Sequence, residues 1–225
     1  MILPRYYFEG DFQQFEDLIE NCKLESVEIK KGIELKYLSQ RKSIYIKNGM
    51  VKLSICNEEG NESVVMFAGK GIIYPVTCLE EQFTIEQFMS LKTVLDTEII
   101  VFPKEKILEL IHINSEFAVA AINFNSKTIN SLLTKNILGG YENSEQSVCS
   151  FLYSYIIYNP NNNNNNIVDF TQEEIASVVG ISRMQVTRIL GSLRAKGIVK
   201  TIRGKVIVLE IEMLKDNCAS IIKEV

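Results

Sequence analysis

The segment TQEEIASVVGISRMQVTRIL, residues 171–190, constrains the fold more than any other part of the chain because it holds two helix starts in quick succession. In a capping box, a side chain accepts a hydrogen bond from the backbone N–H three residues later, and the later side chain accepts one in return. Two pairs in the segment have this spacing, and the pattern therefore predicts two short helices. The pairs are Thr171 with Glu174 and Ser182 with Gln185.

The turn between the two predicted helices falls at Gly180, four residues after Ala176. Alanine lets the two helices approach closely, and glycine adopts the positive φ of a tight turn without steric cost. This spacing is typical of a helix-turn-helix. The residues expected to form its internal core are Ile175, Val179, Ile181, Val186, Ile189, Leu190 and Leu193.

The residues outside that core predict a surface that reads DNA. Arginine bonds bidentately to guanine O6 and N7, and short hydroxyl side chains suit phosphate or base contacts. A recognition helix carries such residues on its first turns. The next segment, GIVKTIRGKVIVLEI, predicts a β-hairpin around Arg203-Gly204 that acts as a wing on the flanking DNA backbone. The predicted DNA-binding residues are Ser182, Arg183, Met184, Gln185, Thr187, Arg188, Arg203 and Lys205.

The distribution of charge agrees with this prediction. Residues 181–209 contain seven Lys or Arg and no Asp or Glu, whereas the whole chain has 24 basic and 28 acidic residues. An acidic remainder repels DNA, so contact is expected to be confined to this one face. A winged helix used only for protein contacts is the alternative.

The chain from Leu24 to about Phe102 consists of short apolar runs separated by turn signals. Asn48-Gly49, between SIYIK and VKLSI, predicts a two-residue hairpin, and NEEGN predicts a longer turn to the following strand. About seven or eight short strands of this kind predict a β-sandwich, roll or barrel. A short helix over residues 6–20 is expected before them.

Helices are expected to follow the strands. Pro103 suits the first turn of a helix over PKEKILELIHI. A helical pattern without Pro or Gly runs from Ser115 to about Leu138, and Gly139-Gly140 is expected to end it. The apolar surface of this helix is wide. Part of it is therefore predicted to form a dimer seam, with packing against its own domain as the alternative.

The predicted fold class is α+β, with three parts. Residues 1–114 are expected to form a β-roll sensor domain of jelly-roll type, and residues 115–138 a long dimerisation helix. Residues 141–225 are expected to form a winged helix-turn-helix domain. This third part includes a helix over EQSVCSFLYSYIIY and an exposed asparagine-rich loop at residues 159–166.

Composition disfavours several classes of function. No apolar run approaches the roughly 20 residues that a bilayer span requires, and the N-terminus lacks a secretory signal pattern. A cytoplasmic chain without membrane contact is therefore expected. His112 is the one histidine, which argues against a catalytic metal site and against a cupin-like enzyme, the alternative for a β-roll. His112 is expected to be a solvated helix residue rather than a haem ligand.

The five cysteines are dispersed, without pairs at metal-ligand or redox-motif spacing. Dispersed cysteines in a cytoplasmic chain usually act as small buried hydrophobic residues. A regulator that responds to thiol oxidation is the alternative. The cysteines are Cys22, Cys56, Cys78, Cys149 and Cys218.

Residues 170–209 resemble the DNA-binding domain of the Crp/Fnr family of bacterial transcription regulators, through EEIASVVGISRMQVTRILGSL and GIVKTIRGKVIVL. The predicted order of β-roll, long helix and winged helix agrees with that family over nearly the whole chain. The resemblance implies a homodimer on an inverted-repeat operator, RNA polymerase as a partner and control by a sensor-domain ligand. It places Arg183 and Arg188 at the two base-contacting arginine positions and Ser182 at a phosphate-contacting position.

Met184 departs from the family pattern. Its position often holds glutamate, which can accept a hydrogen bond from cytosine N4. Methionine offers no acceptor and only apolar contact, for instance with a thymine methyl group. An operator sequence inferred from the family is therefore in doubt at one base pair.

The sensor half departs further from the family members with known ligands. Cyclic-nucleotide members have a Gly-Glu start of a phosphate cassette and an arginine that binds the phosphate, but this chain has Tyr-Pro there and no Arg between Lys42 and Lys104. Oxygen-sensing members have an N-terminal cysteine cluster, but only Cys22 lies in the first 50 residues. These departures argue against a cyclic nucleotide and against an iron–sulfur cluster.

The sensor sequence looks more like the branch of the family that senses small organic ligands, including the halorespiration regulators that bind chlorinated phenols. A pocket for such an effector is expected between the roll and the long helix. Ordinary core packing of the same residues is the alternative. The expected lining residues are Tyr74, Phe88, Lys92 and Phe124.

Overall fold

A computed structural model describes residues 7–36, 41–56, 62–76, 89–141, 143–158 and 166–218, with only the backbone described at 137–141 and 158. The chain is a mixed helix and sheet protein, as the sequence predicts. Its contacts divide it into two compact units, one spanning Tyr7–Ile129 and the other containing the chain from Asn130 onward. No helix among the described residues is long and apolar enough to cross a membrane.

The first unit contains two four-stranded sheets and the start of a long helix. One sheet has the strand order β1-β5-β4-β7 and the other has the order β2-β8-β3-β6. The strands are β1 (Tyr7–Phe8), β2 (Glu25–Ile29), β3 (Lys42–Asn48), β4 (Val51–Cys56), β5 (Glu62–Ala68), β6 (Ile73–Tyr74), β7 (Met89–Thr93) and β8 (Thr97–Pro103). The helices are α1 (Glu16–Glu20), α2 (Glu105–Ile113) and α3 (Ser115–Tyr141), the last of which continues into the second unit.

Aromatic residues attach α3 to the sheets. Phe117 and Phe124 are buried on one side of the helix, two turns apart, so they face the same core. The ring of Phe12 lies 5.6 Å from each of them, and the ring of Phe8 lies 5.8 Å from that of Phe124 in an edge-to-face arrangement. The core of the first unit therefore includes α3 as well as residues from both sheets.

The predicted helix over residues 6–20 is wrong in extent. Tyr7 and Phe8 form a strand that pairs in parallel with β5, and a 3₁₀ turn at Gln13–Phe15 precedes the short helix α1. The apolar residues Phe12, Phe15 and Ile19 recur at helical spacing because the 3₁₀ turn and α1 bury them, together with Phe8 of β1, in one core.

The predicted hairpin at Asn48-Gly49 is also wrong. Strand β3 pairs with β8 and β6, whereas β4 pairs with β5 and β7 in the other sheet. The turn therefore carries the chain from one sheet to the other. Gly49 has φ +92°, and an added Cβ would lie 2.5 Å from the carbonyl oxygen of Asp96. The Asn-Gly signal is thus correct for backbone conformation but does not specify which strands pair.

Strands β4 and β5 pair with each other as expected, although their connecting turn, residues 57–61, lies outside the described residues. Pro103 ends β8, and helix α2 begins two residues later than predicted. Helix α3 runs through Gly139-Gly140 to Tyr141, so the prediction that these glycines end it is wrong. Glycine weakens a helix but keeps its backbone N–H donor, so it does not force the helix to stop.

The second unit contains four further helices and a three-stranded sheet. The helices are α4 (Ser144–Tyr158), α5 (Gln172–Val179), α6 (Arg183–Ala195) and α7 (Ile211–Asp216). The strands are β9 (Ile167–Val168), β10 (Val199–Ile202) and β11 (Lys205–Val208), in the order β10-β11-β9. The helix predicted over EQSVCSFLYSYIIY is α4. The asparagine-rich loop lies almost wholly outside the described residues.

Buried aromatic rings fix α4 against the helix-turn-helix. The ring of Phe170, just before α5, lies 5.6 Å from that of Phe151 and 5.1 Å from that of Tyr155, both on α4. Most of the predicted core of the helix-turn-helix is buried, but Val178 is fully buried in place of the predicted Val179, which is half-buried. These buried residues therefore pack α5 and α6 against each other and against α4.

Candidate nucleic-acid interface

Two complete capping boxes start α5 and α6. The hydroxyl of Thr171 accepts from the backbone N–H of Glu174 at 3.2 Å, and the Glu174 carboxylate accepts from the backbone N–H of Thr171 at 2.7 Å. Ser182 and Gln185 repeat the arrangement at 3.3 Å and 3.0 Å. Gly180 between the helices has φ 74°. Both predicted caps and the predicted turn residue are therefore present, and they fix the direction in which α6 begins.

Ser182 and Gln185 use much of their hydrogen-bonding capacity within the protein. The Ser182 hydroxyl donates to Oε1 of Gln185 at 2.9 Å, and its oxygen accepts from the Gln185 backbone. These two predicted DNA-binding residues therefore cap the start of α6. Both lie at its exposed end, Ser182 exposed and Gln185 half-buried.

The two sides of α6 differ sharply. One side is wholly buried and the other presents the long side chains predicted to contact DNA, which are Arg183, Met184 and Arg188. Met184 is 81% exposed, the largest value among the exposed apolar residues of the described chain. The buried side consists of Val186, Ile189, Leu190 and Leu193.

The wing is a two-residue hairpin, as predicted. Ile202 pairs with Lys205, and the turn consists of Arg203 and Gly204, the latter with φ 75°. Arg203 is exposed at the tip. Lys205 instead pairs with Asp169, with 2.6 Å between Nζ and Oδ1. Of the two predicted wing contacts, Arg203 is the one without an acidic partner among the described residues.

A cleft of about 400 Å³ lies between the start of α5, the start of α6 and the wing. Arg183, Arg203 and Lys205 line it together with Gln172 and Glu173. The structure thus brings the first arginine of the recognition helix and the wing cations to one concave surface. Gln172 and Glu173 were not predicted. The signal for them was their position directly after the N-cap residue Thr171, which places them at the exposed start of α5.

Thr187 connects α6 to the same corner. Its hydroxyl oxygen lies 2.6 Å from Oε1 of Gln172 and 3.0 Å from the carbonyl oxygen of Arg183. The predicted DNA contact Thr187 is therefore exposed but already hydrogen-bonded within the protein.

The residues predicted to line an effector pocket do not all come together. Phe124 lies in the core of the first unit, and Tyr74 packs against the same core and donates a hydrogen bond to Sδ of Met89 at 3.6 Å. Lys92 is exposed and follows the core residue Leu91, so it points to the opposite side of β7. Phe88 lies outside the described residues.

A separate groove of about 530 Å³ runs along the first turns of α3. Asp11, Asn123 and Lys127 are among its lining residues, and Asp11 forms an ion pair with Lys127. The second carboxylate oxygen of Asp11 is buried without a hydrogen-bond partner among the described residues. None of the predicted effector-pocket residues lines this groove.

Other candidate chemical groups are dispersed. No group of three or more His, Cys, Asp or Glu side chains could hold a metal ion within the described part of the chain. His112 is exposed in the last turn of α2. Cys149 and Cys218 are buried, Cys22 and Cys56 are half-buried, and Cys78 lies outside the described residues.

Residues 146–216 match the family model of the Crp-like helix-turn-helix domain. The match includes α5, α6, the wing strands β10 and β11, and α7. The chain therefore carries a Crp-like helix-turn-helix domain in its second unit. No curated protein matches the sequence significantly.

Solved structures share the fold over nearly the whole chain. A transcriptional regulator of the Crp/Fnr family from Eubacterium rectale is 18% identical, with 90% of this chain and 93% of that chain covered and a TM-score of 0.70. The c-di-GMP-responsive global regulator CLP of Xanthomonas campestris is 16% identical, with 86% and 97% covered and a TM-score of 0.70. CprK in complex with OCPA is 15% identical, with 96% and 97% covered and a TM-score of 0.68.

Proposed function

We propose that the chain acts as a homodimer on an inverted-repeat operator, with the exposed side of α6 in the major groove and the wing on the flanking backbone. The observation that carries this proposal is the exposure of Arg183 and Arg188 on a helix whose other side is buried. Among the described residues neither arginine forms an ion pair. Both guanidinium groups are thus available for guanine O6 and N7, the contact that arginine makes most often in the major groove.

The wing supplies the second part of the contact. Arg203 at its tip lines the same cleft as Arg183, so a duplex that contacts one of these side chains also contacts the other. Phosphate contacts of this kind give affinity without sequence preference, whereas base contacts give specificity. Base recognition is accordingly assigned to α6 and backbone binding to the wing.

The experiment begins with selection of duplexes from a random pool by the wild-type protein. Fluorescence anisotropy then gives the Kd of the selected duplex for the double variant Arg183→Ala/Arg188→Ala. We expect a loss of at least about 30-fold, since two bidentate pairs at about 1–3 kcal/mol each contribute at least about 2 kcal/mol. The matched control is Lys196→Ala/Lys215→Ala, which removes the same charge from a residue paired with Glu145 and from α7. Equal Kd values for the two double variants would contradict the assigned face.

Support for the homodimer comes from a second apolar side of α3. Phe117 and Phe124 face the core, but Ile122 and Ile129 lie one heptad apart on another side and are 64% and 56% exposed. Leu133 continues this line and is also exposed. Such a seven-residue repeat is the pattern by which two helices pack together, and a second copy of α3 fits it.

For the effector we propose a small organic molecule rather than a cyclic nucleotide, because the segment between Lys42 and Lys104 has no arginine to bind a cyclic phosphate. CLP is c-di-GMP-responsive and CprK is complexed with OCPA, so proteins of this fold differ in their ligands. Thermal unfolding with cyclic AMP, c-di-GMP and chlorinated phenols tests the proposal, since a bound ligand raises the midpoint. A rise with either nucleotide alone refutes it. RNA polymerase is the proposed partner, and the cytoplasm the proposed place of action.

A further inference from the structure

The contact between Thr187 and Gln172 determines how both side chains can meet DNA. Two oxygen atoms 2.6 Å apart must share a proton, and the amide oxygen Oε1 of Gln172 has none to give. Thr187 therefore donates. Its second close oxygen, the carbonyl of Arg183 at 3.0 Å, is also an acceptor. The single hydroxyl proton of Thr187 is thus directed into the protein and is withheld from a DNA base.

The same contact occupies one of the two lone pairs on the amide oxygen of Gln172. Glutamine recognises adenine through a pair of hydrogen bonds that needs both its amide oxygen and its amide nitrogen. Here the oxygen is held by Thr187, while Nε2 has no hydrogen-bond partner within the described residues. The N–H groups of Nε2 suit a phosphate oxygen, which can only accept.

The position of Gln172 fits this role. It is the first residue of α5, it is half-buried, and it lines the cleft that also holds Arg183 and Arg203. A backbone that passes between the recognition helix and the wing passes this cleft. The amide of Gln172 is held toward it by a side chain of the recognition helix itself.

We propose that Gln172 binds a backbone phosphate through Nε2 and that Thr187 is a positioning residue that fixes its amide and donates no hydrogen bond to a base. This inference rests on the proposed function. Arg183 and Arg188 are then the predicted DNA-binding side chains on the exposed side of α6 that can donate hydrogen bonds to bases. The operator is accordingly specified by fewer contacts than the exposed residues of α6 suggest.

The test uses the duplex selected by the wild-type protein and a panel that changes each base pair of one half-site. Gln172→Ala is expected to raise Kd by about threefold to tenfold on every duplex, since one net hydrogen bond is lost. Because the amide is uncharged, the slope of log Kd against log salt should not change. The comparison variant Arg203→Ala should reduce that slope by about 1.

Thr187→Val removes the hydroxyl and keeps the shape. It is expected to weaken binding by a similar factor on every duplex, and adding Gln172→Ala should weaken it little further, because both changes remove one coupled contact. Thr187→Ser should bind as the wild type does. Loss confined to one base pair with Thr187→Val, or additive losses in the double variant, would overturn the inference.

Gln172→Glu provides a second route should the valine variant fail to fold. Glutamate still accepts from Thr187 but replaces the free donor with a carboxylate oxygen. It should therefore bind more weakly than Gln172→Ala, and equal or tighter binding overturns the phosphate contact. If the wild-type protein selects no duplex, the proposed function has failed. Selection by the wild type with unchanged binding by every Gln172 variant contradicts only this inference.

Discussion

Lys205 of the wing and Asp169 form an ion pair with 2.6 Å between Nζ and Oδ1. Asp169 directly follows β9, the strand that pairs with β11, so the sheet carries an acidic residue to the turn end of a hairpin whose own sequence has none. Both side chains are about half exposed, at 47% and 56%. The positive charge of the wing is thereby partly neutralised before DNA binds.

Removal of this carboxylate should strengthen DNA binding. Asp169→Asn leaves Lys205 free to contact a phosphate, so we expect tighter binding to duplexes of any sequence. The slope of log Kd against log salt should become steeper by up to about 1. Anisotropy titrations over a range of KCl concentrations measure both. The control Glu212→Gln removes the same charge from α7, which packs against α4. An unchanged slope with Asp169→Asn would show that Lys205 does not reach a phosphate once it is released.

Gly180 and Gly191 should respond oppositely to alanine. Gly180 has φ +74° with open space around an added Cβ, so Gly180→Ala pays only for a left-handed backbone, about 1–2 kcal/mol of stability. Gly191 lies inside α6, also with open space, so Gly191→Ala should stabilise by about 0.5–1 kcal/mol. Urea unfolding of the two variants measures the change in the free energy of unfolding and so checks both predicted signs. Destabilisation by both would mean that α6 does not tolerate a methyl group at this point.

The helix-turn-helix could be predicted closely because its signals are local. A capping box spans four residues, and Gly180 needs no knowledge of distant parts of the chain to adopt a positive φ. The turn at Asn48-Gly49 was predicted equally well as a turn, but which strands pair depends on the whole sheet. Strand β3 pairs with β6 and β8, which lie far along the sequence.

The candidate interface was only partly predictable for the same reason. Arg183 and Arg203 follow from a local pattern, whereas Gln172 enters the interface through its contact with Thr187, fifteen residues away. Asp169 lies outside the acid-free stretch in sequence but beside it in space. A count of charges along the chain therefore overstates the positive charge that the folded wing presents.

Charged substitutions on the exposed side of α3 should disrupt the proposed dimer. Ile122→Glu/Ile129→Glu places two carboxylates in the proposed seam, so we expect a monomer by light scattering and weaker operator binding. The control is Ile113→Glu, on α2, at a position that is 75% exposed. If the double variant stays a dimer while keeping its affinity, the seam lies elsewhere.

The first unit should lose stability in acid through an ion-pair network. Lys47 lies 2.9 Å from Glu20 and 3.6 Å from Glu98, and hydrogen bonds first from Lys23 and then from Lys47 lower the pKa of Glu20. A carboxyl group with a lowered pKa stabilises the fold above its ordinary value of 4.5, and this contribution disappears as the pH falls through the lowered pKa. Lys47→Met should therefore lower the unfolding midpoint at pH 7, and the difference from the wild type should shrink as the pH falls below 4.5. Lys70→Met, at an exposed lysine, is the control and should have little effect at either pH.

Met184 should determine the preference at one base pair of the operator. Met184 is 81% exposed and follows Arg183 at the start of α6. Its side chain can offer only apolar contact. Met184→Glu introduces an acceptor for cytosine N4, so selection from the same random pool should yield cytosine at one position of each half-site. The change in discrimination there should be about tenfold, while the positions assigned to Arg183 and Arg188 stay as they were. Met213→Glu, on α7, is the control for the added charge. An unaltered base preference with Met184→Glu would show that this side chain does not face a base.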